Sequence, residues 1–231
     1  MASFGTTIVN MRIVLLLCAL AVTCLSETLR FENKRYTYSV YVPPSGNGSR
    51  PAILLLHGAG GAGRDMLDLW KPLAKAEGLV LIAPNLPREL AFEEVAPRFL
   101  HALMDEVMRT NEIDKRRLYV FGYSMGGYLA YDAAMFESTY FAAVGIYANF
   151  IYPEYVGILK EAKRRIPIAI YAGVEDELIP IKAVRATRDL LKANGFPVRY
   201  REFARRGHDY GAVVHEVNAD AWEFFSRAIL P

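Results

Sequence analysis

Five short runs in the chain are almost wholly apolar: residues 52–56, 79–83, 118–121, 142–147 and 168–171. A strand that shows one face to water alternates apolar and polar residues, so an unbroken run signals burial on both faces. Helix-like stretches follow them at 64–77, 92–109, 125–136 and 181–193, and the chain closes with a strand at 198–203 and a helix at 213–229. Parallel strands need long crossovers, and helices supply them. The alternation therefore predicts an α/β fold with a mostly parallel central sheet and helices on both faces. An earlier strand at 34–42, rich in tyrosine and valine, is followed by a turn-forming stretch, Pro43-Pro44-Ser45-Gly46-Asn47-Gly48-Ser49. No repeat or linker interrupts the pattern, and 231 residues suit one such domain with a sizeable core.

The N-terminal stretch reads differently. Arg12 precedes an apolar segment, 13–25, which has no polar face, and Ser26-Glu27 then turns polar. A positive residue, a short apolar run and small residues after it are the pattern of a secretory signal peptide. The run is short for a membrane span. Residues 1–26 are accordingly expected to be removed, with Met11-Arg12 as the better start of the signal, leaving a domain at 27–231. That places the mature protein outside the cytoplasm, secreted or periplasmic, with no stable membrane insertion after cleavage. Both cysteines, Cys18 and Cys24, fall in the segment removed. Disulfides, thiolate chemistry and cysteine-held zinc are then excluded for the mature domain. Net charge is only +2 and the basic residues are scattered, so the extended basic face that nucleic acid requires is missing.

The chemistry concentrates in four places. Gly122-Tyr123-Ser124-Met125-Gly126 stands between a buried strand and a helix. Small residues flank the serine so that a sharp turn can project its hydroxyl from the strand end, and the helix that follows aims its free N–H groups at the site. His57-Gly58-Ala59-Gly60-Gly61 follows another buried strand, and a loop of this kind can bring a backbone N–H to the serine. Ala59, with Gly60 as alternative, and Met125 are the expected oxyanion-hole donors. His57 precedes the serine and is read as structural. Gly173-Val174-Glu175-Asp176-Glu177-Leu178-Ile179-Pro180 carries three competing carboxylates after a strand, of which the spacing favours Asp176. Gly207-His208 lies between the last strand and the last helix, whereas His101 and His215 fall inside helices. The order Ser124, Asp176, His208 is nucleophile, acid, base.

On these motifs the chain from about Tyr38 onward resembles small single-domain α/β-hydrolases. Among them it is similar to the phospholipase/carboxylesterase, esterase D and polyhydroxybutyrate-depolymerase-like groups. It departs from the first at Met125, where glutamine is common. The resemblance implies an α/β-hydrolase fold with a minimal cap and a serine esterase acting on small-molecule esters, without metal or organic cofactor. A prolyl-oligopeptidase-type peptidase and a non-catalytic binding protein on the same scaffold are the alternatives. The segment after the strand at 142–147 has room for one helix, at 154–165, but not for a cap domain, so an open, shallow site is expected. Tyr123, Asn149, Phe150, Tyr152 and Tyr155 fall on its expected rim. Of these, Tyr123, Phe150 and Tyr152, with Gly60, are expected to contact substrate, their rings stacking on a planar or sugar-like group or else packing the short helix. Acyl preference and oligomeric state do not follow from the residues.

Overall fold

The structure is a computed structural model that describes residues 25–44, 48–88 and 96–231. The signal-peptide reading falls outside these except for Leu25 and Ser26, and so do the middle of the turn-forming stretch at 43–49 and the first residues of the helix expected from 92.

Eight strands form one sheet in the order β1-β2-β4-β3-β5-β6-β7-β8. β1 (Leu25–Phe31) and β2 (Lys34–Tyr41) make an antiparallel hairpin, and β2 runs antiparallel to β4 (Val80–Pro84). β3 (Arg50–Leu56), β4, β5 (Ile113–Tyr123), β6 (Ala143–Tyr147), β7 (Ile168–Gly173) and β8 (Val198–Phe203) are mutually parallel. The expected mostly parallel α/β sheet is thus the observed one. β1 was not anticipated, and β5 starts earlier than its apolar run.

The unbroken apolar runs have their reason in two cores. Successive side chains of a strand point to opposite faces. Leu54, Leu56, Val120 and Ile146 pack with Phe99, Leu103, Leu129 and Val184 from α2 (Ala96–Thr110), α3 (Met125–Phe136) and α4 (Ile181–Ala193). Their neighbours Ile53, Leu55, Phe121 and Tyr147 pack on the other face. There they meet Met66 and Trp70 of α1 (Gly63–Glu77) and Val217 and Phe225 of α5 (Val214–Phe225). A buried large apolar side chain contributes about 1.5–3 kcal/mol, so both faces are strongly fixed. The last helix stops at Phe225 rather than continuing to 229. The helix expected at 154–165 is present as a 3-10 helix, Pro153–Lys160, and ends earlier. Beyond it Arg164 turns back, donating to the carbonyls of Ser138, Phe141 and Ala142. That tie holds the segment after Lys160 out of helix.

Candidate active site

All six parallel strands point their C-terminal ends to one rim, and the motif residues gather there. Ser124 sits between β5 and α3 with φ 51° and ψ −120°, a conformation that non-glycine residues rarely adopt. Three contacts hold it. Its N–H donates to Tyr147 O at 3.0 Å, and its carbonyl accepts from Gly127 N at 2.7 Å and from Asn149 Nδ2 at 2.7 Å. The turn closes because residues 122 and 126 are both glycine: a Cβ on Gly122 would stand 2.1 Å from Gly126 O, and one on Gly126 2.2 Å from Leu56 O. That close approach seats the start of α3 against the end of β3, beside the loop 57–61.

In that loop His57 is buried, and both ring nitrogens are used. Nε2 accepts from Leu86 N at 2.8 Å, so Nδ1 carries the hydrogen and donates to Gly58 O at 2.7 Å. Gly58 O also accepts from Gly61 N. Ala59 and Gly60 form the exposed tip of this turn, and Met125 begins α3 just after the serine.

Asp176 is buried in the loop after β7, its side chain 1% exposed, while Glu175 and Glu177 face solvent. One carboxylate oxygen accepts the backbone N–H groups of Leu178 and Ile179 at 2.9 and 2.8 Å. The other meets His208 Nδ1 at 2.8 Å, and His208 Nε2 lies 2.9 Å from Ser124 Oγ. Ser124, His208 and Asp176 therefore stand in one hydrogen-bonded line. The close passage of two loops makes it possible. A Cβ on Gly173 would lie 2.3 Å from the carbonyls of Arg206 and Gly207, so the acid's strand end abuts the histidine's loop.

Two tyrosines complete the support. Tyr123 donates to His208 O at 3.1 Å and Tyr147 to Gly207 O at 3.0 Å. Burial, reinforced by the nearby Asp209 and Asp176 carboxylates, raises Tyr123 above the usual phenol range. Burial followed by Asp176 does the same to Tyr147. Both phenols stay protonated donors. The Tyr123 ring, placed on the rim by its sequence position, packs 5.3 Å from the His208 imidazole with its hydroxyl on backbone. Phe150 and Tyr152 stand on the rim, ring centroids 4.3 Å apart. The support from Tyr147 and Asn149 was missed in sequence. A tyrosine in an otherwise apolar strand and an asparagine at a strand end were the available signals. His101 and His215 lie on α2 and α5, as read.

A dienelactone hydrolase family model matches residues 87–224, more than half the chain and every member of the line just described. The chain belongs to the dienelactone hydrolase family. The loop at 57–61 lies before the matched span.

Other likenesses of this dienelactone hydrolase family member agree in fold. It is 26% identical over 169 residues to the bifunctional acetylxylan esterase/xylanase XynS20E of Neocallimastix patriciarum. The match covers 71% of this chain and 23% of that protein, so the chain spans about a quarter of that relative's length. A thermostable esterase superposes with TM-score 0.73 at 21% identity, covering 89% of this chain and 63% of that one, under two thirds of its length. The S-formylglutathione hydrolase FrmB of Staphylococcus aureus gives TM-score 0.76 at 16% identity, covering 87% and 95%.

Proposed function

We propose that this protein cleaves carboxylic esters through Ser124 as nucleophile, His208 as general base and acid, and Asp176 as the group that orients and stabilises the imidazolium. The observation that carries the reading is the line from Asp176 through His208 to Ser124, with distances of 2.8 and 2.9 Å. A serine hydroxyl is a weak nucleophile at neutral pH and needs a base in contact. His208 takes its proton as Oγ attacks the ester carbonyl, then gives it to the departing alcohol, leaving an acyl-enzyme. Water, deprotonated by the same imidazole, releases the acid. The backbone N–H groups of Ala59 and Met125 stabilise the oxyanion, with Gly60 shaping the loop tip. Phe150 and Tyr152 contact the substrate beyond the ester, and Tyr123 holds the histidine loop.

The same reading makes the chain an exported enzyme whose mature form begins near Glu27. The support is Arg12 and the apolar segment after it. N-terminal sequencing of native protein checks it, and an intact Met1 or Met11 contradicts it.

Turnover of p-nitrophenyl acetate tests the chemistry. Ser124→Ala, His208→Ala and Asp176→Asn are each expected to lose about 10⁴-fold or more in kcat, and double variants little beyond that. Labelling by a fluorophosphonate probe should vanish in Ser124→Ala. A folded Ser124→Ala protein with near-normal activity overturns the assignment. Activity surviving Asp176→Asn but lost in Glu175→Gln reassigns the acid alone.

A further inference from the structure

The bond-making steps above leave a strip of rings on the rim without a ligand. Phe150 and Tyr152 are 4.3 Å apart and inclined by 42°, and Tyr152 and Tyr155 are 6.3 Å apart and nearly perpendicular, at 85°. Tyr128 of α3 backs Tyr155 edge-on at 5.8 Å. Tyr152 is 36% exposed and Tyr155 44%, whereas the sheet tyrosines Tyr147 and Tyr171 are fully buried. Rings that only packed the 3-10 helix onto the sheet would be covered in the same way. The strip is also tied to the nucleophile. Asn149 donates from Nδ2 to Ser124 O and accepts Phe150 N at Oδ1, 2.7 and 2.6 Å.

Three features restrict what such a strip holds. It is open, so it does not remove an alkyl tail from water, and a fatty acyl chain gains little there. Its rings change orientation by large angles from one to the next, which matches a twisted chain of rings rather than one flat group. Its edges are polar: two of the three rings carry hydroxyls. One turn beyond Tyr128, Asp132 makes no hydrogen bond or ion pair among the described residues. Burial raises the Asp132 carboxyl to about 7, so near neutrality it both donates and accepts. A pyranose has an apolar C–H face to lay on an aromatic ring and hydroxyls around its edge. We propose that Phe150, Tyr152 and Tyr155 form a subsite for the sugar rings of an esterified polysaccharide, which brings an ester on that chain to Ser124. The proposal rests on the ester-hydrolase reading and adds the substrate class to it.

Binding can be read apart from turnover. The full chain carrying Ser124→Ala should be retarded in native gels containing soluble xylan or glucomannan, relative to gels without glycan. Adding Tyr152→Ala and Tyr155→Ala should abolish the retardation. No retardation of the parent, or the same retardation in the triple variant, overturns the subsite. In the active protein, the Tyr152→Ala/Tyr155→Ala pair should lose kcat/KM on acetylated oligosaccharides by at least about tenfold more than on p-nitrophenyl acetate. Equal losses on the two esters overturn it. So does a dimer that dissociates in the double variant, which would make the strip a subunit contact. A protein that hydrolyses p-nitrophenyl acetate and ignores every glycan refutes the subsite alone. One that hydrolyses neither ester refutes the ester-hydrolase reading, and gel retardation still reports on the strip.

Discussion

Ser124 holds its backbone in a conformation that costs about 1–3 kcal/mol, and the packing around it sustains that strain. Among these contacts is the close approach of Gly126 to Leu56 O. Gly126→Ala places a Cβ on a backbone carbonyl that no rotamer can avoid. We expect it to lose at least about 3 kcal/mol of stability, read as a fall in the urea midpoint, together with esterase activity. Unchanged stability would mean that the turn can open without cost. Asp132 gives a pH-dependent prediction. Its folded-state carboxyl is raised from 3.8 to about 7, so the native protein holds this proton more tightly than the unfolded chain. Its contribution is greatest below pH 4, declines as pH rises toward 7 and is flat above. Asp132→Asn removes the decline. The variant should be more stable than the parent at pH 8, by about 2–4 kcal/mol, and nearly equal to it at pH 4. Melting curves at the two pH values check the sign, and a parent more stable than the variant at pH 8 contradicts it. A position that weakens the fold in this way beside an exposed aromatic strip fits a binding role better than a packing one.

Among the elements, the β1–β2 hairpin turns at Glu32 and Asn33, whose φ angles are 45° and 63°. Two left-handed residues between paired Phe31 and Lys34 make a type I′ turn, where glycine is favoured at the second position. Asn33→Gly should therefore raise the melting temperature slightly, by about 0.5 kcal/mol in stability, without affecting turnover. A drop would show that the Asn33 side chain makes contacts of its own. The segment between β6 and β7 depends on Arg164. Among the described residues, its half-buried guanidinium has only carbonyl partners, at 3.0, 2.7 and 3.3 Å, just past the C-terminal end of α3. Burial lowers its pKa, while the helix end favours a cation there. Arg164→Ala leaves these carbonyls without their donor and should cost about 2–3 kcal/mol in urea denaturation. Arg164→Lys should recover only part, because an ammonium cannot span them as a planar fork does.

At the scale of the molecule, the connection from Tyr147 to Ile168 holds one 3-10 helix and no cap domain. Lids that close over a site gate turnover and respond to lipid surfaces. Without a large insertion here, rates on soluble short-chain esters should rise hyperbolically with concentration. A long-chain ester should show no jump at its solubility limit. A sharp increase at that limit would show that some other segment closes over Ser124.

What the sequence determined by itself was the set of parallel strands and most of their helices, because double burial leaves unbroken apolar runs and helix ends carry their own signals. α3 and α4 occupy 125–136 and 181–193 as read. β1 was hidden because Leu25–Phe31 is an edge strand, half polar, that continues directly from an apolar run. The 3-10 helix was hidden because Arg164, just beyond its end, binds carbonyls more than twenty residues back in the chain. The motifs also named Ser124, Asp176 and His208 one by one, but three neighbouring carboxylates competed for one place. Only the side-by-side order β5-β6-β7-β8 turned Asp176 inward to His208 and left Glu175 and Glu177 in water. The destinations of the Tyr123 and Tyr147 hydroxyls were settled in the same way. Periodicity is a local property and is written along the chain. Contacts between strand ends tens of residues apart exist only once the sheet has assembled.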